Sequence, residues 1–363
     1  MTNFRLTDLT DALPSLDNVK SALTEVPKPL LIGAAATAVA PLAYLGARYL
    51  WELIPVSDLK NKVVFVTGCD TGFGRLLALK FAKDGIPVYA GCLRSETAQT
   101  LEAEAAGLPG TLKTIIVDVR STESVNAAAE QIKNELQPGQ VFWALVNNAG
   151  IAIFEGPDAW ASLESYQTCF DINTMGIIRT VHAFSDLLKA SKGRIVSISS
   201  MLGRVPLPGL TNYVTSKFAA EGYLDSVRRE LHDFGIKVSI LEPGFFRTQV
   251  IPLDRVRGEI DKSWSRLTPE QQADYGVEFK EQIFSDFAYF HNTSNPNVGW
   301  VVNDYYHAVT AKYPRLRYPS GWECLFALVP STYLPTGLGD WVIRNLVGIR
   351  PPPLAKNSKA KGK

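Results

Sequence analysis

The sequence predicts an α/β fold, one parallel sheet with helices packed on both of its faces. Three observations carry this reading. Short apolar runs rich in β-branched residues recur between Val63 and Leu241, helical stretches separate them, and a cluster of glycines follows the first run. Continuous apolar strands alternating with helices belong to parallel sheets, because such strands are buried on both sides.

From the N-terminus, residues 1–28 form a polar segment with a short candidate helix. Pro29 to Ala47 then runs nineteen residues without a charge, just long enough to cross a bilayer core. Pro41 is tolerated in membrane helices, and Tyr44, Tyr49 and Trp51 stand where an interfacial aromatic belt belongs. With no polar face to offer water, residues 29–51 are predicted to be a transmembrane helix. Strands are expected at Val63–Thr67, Val88–Cys92, Thr114–Val117, Val141–Val146, Ile195–Ser199 and Val238–Leu241. Helices are expected at Leu76–Lys83, Ser121–Leu136 and Ala219–Phe234. Beyond about residue 250 the rhythm breaks into aromatic, Pro-containing sequence, predicted to be an irregular, partly helical region. The domain is therefore placed at 60–350, followed by a basic tail at 351–363 carrying Lys356, Lys359, Lys361 and Lys363.

Composition narrows the function classes. With 46% hydrophobic residues, 20% charged residues and a net charge of +1, the 363-residue chain has material for one large core. It lacks the basic face that nucleic-acid binding requires. Cys69, Cys92, Cys169 and Cys324 make no CxxC pair, and His182, His232, His291 and His307 are dispersed, so neither a disulfide framework nor a metal site is expected.

The glycines point to a dinucleotide. Thr67-Gly68-Cys69-Asp70-Thr71-Gly72-Phe73-Gly74 joins the first strand to a helix start, where backbone N–H groups and the helix dipole favour a pyrophosphate. Tyr213 and Lys217 stand four residues apart, on one face of a helix. A phenol of pKa ~10 is a poor base at neutral pH, and a neighbouring ammonium brings it toward the working range. Tyr213 is thus a candidate acid/base, with Lys217 as its electrostatic partner.

The TGxxxGxG spacing resembles the short-chain dehydrogenase/reductase family, whose Rossmann-type sheet binds NAD or NADP. Further residues agree with the resemblance and take their implied roles from it. Asn147-Asn148-Ala149-Gly150 resembles the family's NNAG, implying Asn147, Ala149 and Gly150 on the adenine-ribose side, and Asp118 matches the aspartate that contacts adenine. Thr67, Gly68, Asp70, Gly72, Phe73 and Gly74 complete the implied phosphate side. Ser200, thirteen residues before Tyr213, matches the serine that positions the substrate oxygen, and Lys217 would hold the nicotinamide ribose. Asn173, in Asp171-Ile172-Asn173-Thr174-Met175-Gly176, resembles the asparagine that completes the tetrad through a water. Pro243, Gly244 and Thr248 resemble PGxxxT, which meets the nicotinamide carboxamide.

NAD is the expected cofactor, since Ala90-Gly91-Cys92-Leu93 resembles an NAD-using branch. Arg94 keeps NADP open, because a nearby arginine can hold its 2′-phosphate. The stretches around Arg228-Arg229-Glu230-Leu231 and Arg317-Tyr318-Pro319-Ser320-Gly321-Trp322 resemble the branch of retinol, 17β-hydroxysteroid and 3-hydroxybutyrate dehydrogenases, the second favouring the retinol and steroid members. The implied activity is hydride transfer between the cofactor and a lipophilic alcohol, with a homodimer common in the family. 3-Hydroxybutyrate oxidation and a catalytically silent dinucleotide-binding regulator remain as alternatives. The anchor, together with Lys359 and Lys361, which resemble a KxKxx retrieval signal, implies the endoplasmic reticulum membrane with the catalytic domain facing the cytosol.

Overall fold

The computed structural model describes residues 39–40, 43–247, 252–347 and 352. The chain divides into two units, Met1–Pro55 and Val56–Lys363. In the first, residues 43–52 are helical and Arg48 pairs with Glu52 at 2.8 Å, one turn on. Tyr44, Leu45, Tyr49, Leu50 and Trp51 are exposed on this helix. Among the described residues no helix is long and apolar enough to cross a membrane. Most of the predicted span Pro29–Ala47, the whole of 1–28 and almost all of the basic tail lie outside the described residues.

The second unit is built on β1 (Lys62–Thr67), β2 (Val88–Cys92), β3 (Leu112–Ile116), β4 (Val141–Asn147), β5 (Arg194–Ile198), β6 (Lys237–Pro243) and β7 (Arg317–Ser320), in the order β3-β2-β1-β4-β5-β6-β7. All neighbours run parallel. The expected strands are present, and β3 is the most displaced from its predicted Thr114–Val117. As an edge strand it is only partly buried, so its apolar run marks its limits poorly. The opposite edge, β7, was not anticipated. Its Arg-Tyr-Pro-Ser sequence has no apolar run, and Pro319 is tolerated at an edge.

Helices α1 (Gly72–Lys83), α2 (Ser95–Ala105), α3 (Thr122–Glu135), α4 (Leu163–Phe170), α5 (Gly176–Ser191), α6 (Thr211–Glu230), α7 (Leu253–Ser265), α8 (Pro269–Tyr275), α9 (Val277–Thr293), α10 (Gly299–Thr310) and α11 (Thr336–Val347) complete it. Side chains alternate across the strands, so Val64 and Val66 pack with Leu77, Phe81, Leu101, Val301 and Tyr305 of α1, α2 and α10. Val63 and Phe65 face the other way, toward Val125, Ile132, Ile177, Phe184 and Leu224 of α3, α5 and α6.

The expectation of irregular structure after residue 250 is corrected: α7 to α10 are regular helices. Val256 and Ile260 of α7 are fully buried, and α8 opens with a capping box in which Thr268 and Gln271 bond each other's backbone. One buried cation latches the layers together. Arg194 of β5, 2% exposed, donates to the Ala308 and Ala311 carbonyls at 2.8 Å each, beside the Trp143 ring.

Candidate active site

Strand order reverses between β1 and β4, and at such a switch point the diverging loops open a crevice beyond the carboxyl ends of the strands. A cavity of about 640 Å³ lies there, lined by Gly68, Asp70, Phe73, Arg94, Asp118, Ala149, Gly150, Ser200, Tyr213, Lys217, Pro243 and Gly244 among others. A second cavity of about 490 Å³ adjoins it and shares Ser200, Tyr213, Gly244, Ala152 and Phe246. Its remaining walls are mostly apolar, including Phe154, Leu207, Phe245, Phe279, Ile283 and Phe287.

The glycine turn and the loop after β4 are packed into each other. Thr67 Oγ1 accepts the N–H groups of Asn148 and Ala149, both at 3.1 Å. Asn148 Nδ2 donates to the carbonyls of Thr67 and Gly68 at 3.0 Å, and its Oδ1 accepts the Tyr305 hydroxyl at 3.1 Å. Gly68 has φ +71°, and a Cβ there would stand 2.8 Å from Ala149 Cα. A Cβ on Gly74 would meet the Gly68 carbonyl at 2.5 Å and strike the Asn148 amide. These two glycines therefore let the loops stack, while Gly72, at φ +63°, turns the chain into α1. Asn147 does not line the crevice. It is 2% exposed, donating to Ser197 Oγ at 3.0 Å and accepting from Thr180 Oγ1 at 2.7 Å. The crevice residue is Asn148, the first position past β4, which the motif resemblance does not single out. Asp118, just past β3, is held below the ordinary carboxylate range by the side-chain hydrogen bonds of Arg120.

Tyr213 lies in the first turn of α6, and Lys217 follows one turn later. Ser200 lies past the end of β5 rather than within it. It caps the short turn Met201–Gly203, its hydroxyl accepting the Leu202 N–H at 3.1 Å. Burial pushes the Tyr213 phenol up to about 12, opposed by a hydrogen bond with Ser200. Lys217 is 2% exposed, and burial lowers its ammonium to about 8, opposed by the negative charge of Glu221. Its Nζ donates to the Ile198 carbonyl at 3.3 Å and stands 5.5 Å from the Tyr213 ring centre. Asn173, fully buried in a widened π turn at Asp171–Met175, clamps Ile151: Oδ1 accepts its N–H and Nδ2 donates to its carbonyl, both at 2.9 Å. The same Nδ2 donates to Ser216 Oγ at 3.0 Å, tying the post-β4 loop to α6.

Pro243 ends β6 and Gly244 opens the loop after it, held by Glu323, whose Oε1 accepts the Phe245 N–H at 2.7 Å. Nothing in the sequence singled out Glu323, which lies almost eighty positions from the loop it fixes. Thr248 lies outside the described residues.

Comparison with known proteins follows the same lines. The family model described as short chain dehydrogenase matches residues 62–254. A 3beta-hydroxysteroid dehydrogenase, dhs-16, of Caenorhabditis elegans is 38% identical over 88% of this chain and 84% of its own. Retinol dehydrogenase 5 of Homo sapiens is 38% identical over 87% of this chain and 95% of its own. Among solved structures, a short chain dehydrogenase/reductase from Burkholderia phymatum in complex with NAD superposes with a TM-score of 0.60. It is 20% identical, over 73% of this chain and 90% of that one.

Proposed function

The chain belongs to the short-chain dehydrogenase family, in its retinol and steroid dehydrogenase branch, and is an NAD(P)-dependent alcohol oxidoreductase; from that premise we propose that Tyr213 moves the proton as a lipophilic alcohol and its carbonyl are interconverted. The observation that carries the proposal is the meeting of a polar crevice and an apolar cavity at Ser200 and Tyr213. The crevice residues fit a dinucleotide. The glycine turn presents the N-terminus of α1 to a pyrophosphate, and the close packing at Gly68 and Gly74 fixes that turn. When bound, the cofactor supplies the carbon that takes or gives the hydride.

The protein's own groups do the remaining work. Ser200 hydrogen-bonds the substrate oxygen and places it beside Tyr213. In oxidation the Tyr213 oxygen takes the alcohol proton as the C–H bond breaks, and in reduction it returns the proton to the forming alcohol. A phenol pushed up to about 12 is a weaker acid than usual and stays protonated at neutral pH, so the proton is in place for reduction, whereas oxidation needs the phenolate and depends on the Lys217 ammonium to stabilise it. Asn173 positions Ile151 and α6 around both.

The apolar cavity favours retinol-like or hydroxysteroid substrates over 3-hydroxybutyrate. Among its described lining residues neither lysine nor arginine is present to clamp a carboxylate. The preserved grouping of Ser200, Tyr213 and Lys217 favours turnover over a silent regulator. Cofactor reduction should be assayed with retinol, a 3- or 17-hydroxysteroid and 3-hydroxybutyrate at matched concentration. Turnover confined to 3-hydroxybutyrate would refute the lipophilic assignment.

We further propose that residues 29–51 anchor the protein in the endoplasmic reticulum membrane with the second unit on the cytosolic side. The exposed Tyr44, Leu45, Leu50 and Trp51 support membrane contact. Asn292-Thr293-Ser294 is a glycosylation sequon with Asn292 exposed, and it is expected to stay unmodified. A glycosidase-sensitive mass shift lost in Asn292→Gln would place the domain in the lumen, and release by carbonate washing would exclude the anchor.

A further inference from the structure

The rim of the crevice carries an arrangement that the sequence spacing does not reveal. Asp70, inside the glycine turn, reaches across to the loop between β2 and α2. Its Oδ2 accepts the Leu93 N–H at 2.8 Å and its Oδ1 the Arg94 N–H at 3.1 Å. The Thr97 hydroxyl donates to the same Oδ1, and Arg94 Nε stands 3.8 Å away. Asp70, Leu93 and Arg94 all line the crevice, Asp70 17% exposed and Arg94 60%.

The loop after β2 is where dinucleotide folds distinguish the adenosine ribose of NAD from the 2′-phosphate of NADP, ordinarily with an acid or a base on that loop. Here the loop residues Leu93 and Arg94 between β2 and α2 include no acid, and Arg94 would suit a phosphate. The structure reverses that reading. Two backbone amides, a hydroxyl and a guanidinium form a seat for an anion, and the protein's own carboxylate already sits in it. A carboxylate has about four acceptor positions. Three are taken by Leu93, Arg94 and Thr97, which leaves one for a ribose hydroxyl.

Resting on the reading of this crevice as a dinucleotide site, we propose that Asp70 makes it select NAD over NADP. A 2′-phosphate would have to displace Asp70 from its donors and then lie beside a freed carboxylate, like charge against like. Arg94 does not serve the phosphate while Asp70 is present. It becomes available only when Asp70 is removed.

The test is direct binding of NAD⁺, NADP⁺ and 2′-AMP to the full chain by calorimetry, with no turnover required. Wild type should bind NAD⁺ at least ~10-fold more tightly than NADP⁺, the order expected of a charge-assisted hydrogen bond. Asp70→Ser should invert that ratio or bring it to unity, and should let 2′-AMP bind. Arg94→Ala should cancel the NADP⁺ gain of Asp70→Ser, the behaviour of an exposed ion pair released from its partner. Tighter wild-type binding of NADP⁺ than of NAD⁺ overturns the inference whether or not the variants fold. So does an unchanged ratio in an Asp70→Ser protein whose thermal unfolding matches wild type. Wild type binding neither dinucleotide would instead refute the site itself.

Discussion

Around Gly68–Gly74 and Asn147–Gly150 the crevice wall is set by hydrogen bonds between backbone and short polar side chains. Thr67, Asn148 and Tyr305 each satisfy a partner on another element. Across the mouth, Tyr275, Phe279, Phe287 and Phe290 make the opposite wall from half-buried rings, with Phe154 and Phe287 centred 4.7 Å apart. No residue of α9 is fully buried. The first wall admits almost no change of shape, since a single methyl at Gly74 strikes its neighbours. The second is held by ring packing, which is non-directional and tolerates repacking. A fixed chemistry on one side and a pocket of packed rings on the other call for that division of rigidity.

The contrast can be tested, the largest effect first. Tyr213→Phe removes only the proton-transfer group, and turnover should fall ~10² to 10⁴-fold while dinucleotide affinity stays within a factor of ~3. Turnover retained to within a few-fold would remove Tyr213 from its role. Gly74→Val attacks the rigid wall. It should weaken dinucleotide binding at least ~10-fold and cost about 1–3 kcal/mol of stability, the usual range for overpacking, read by calorimetry and urea unfolding.

Lys217→Met probes the junction of the walls. The folded-state pKa of about 8 lies below the ordinary 10.5. Below pH 8 both states are protonated and the burial penalty is present in full; it shrinks as pH rises from about 8 to 10.5, where the folded state alone releases its proton. The variant should therefore be inactive yet about 1–3 kcal/mol more stable at pH 7, with the advantage fading above pH 10. Equal stability at both pH values would contradict the buried-ammonium picture. The smallest effect is expected from Phe287→Ala in the adaptable wall. KM for a lipophilic alcohol should rise several-fold, the order of one or two lost apolar contacts, with dinucleotide affinity unaltered. Equal loss of both would show that the walls are not independent.

The same contrast explains what could be read from sequence. The rigid wall was legible because its chemistry needs fixed residue types at short spacing, as in Thr67–Gly74 and Tyr213–Lys217. Even there Asn147 took its expected role from the NNAG resemblance, which does not tell which of two adjacent asparagines faces the crevice, and it is Asn148 that lines it. The adaptable wall was not legible. Its rings carry no motif, and α7–α9 were read as irregular although Thr268-Pro269-Glu270-Gln271 is a capping box visible in the sequence. Glu323 and β7 escaped for another reason: their roles rest on partners more than seventy positions away, at Phe245 and Leu241.

Arg194, latched to the Ala308 and Ala311 carbonyls, and Asn148, held by Tyr305, bear on how the protein is made. These partners come from α10 and the residue that follows it, which leave the ribosome more than a hundred residues after β5. A nascent chain that has finished β6 thus holds a sheet whose central cation has no acceptors and whose glycine turn lacks a support. Burying that arginine unpaired is costly, so the early chain is expected to remain open until about residue 311 has emerged. Proteolysis of stalled chains of increasing length would register this as protection gained abruptly at that point rather than strand by strand. The C-terminal third thereby sets the moment at which the N-terminal two-thirds can close.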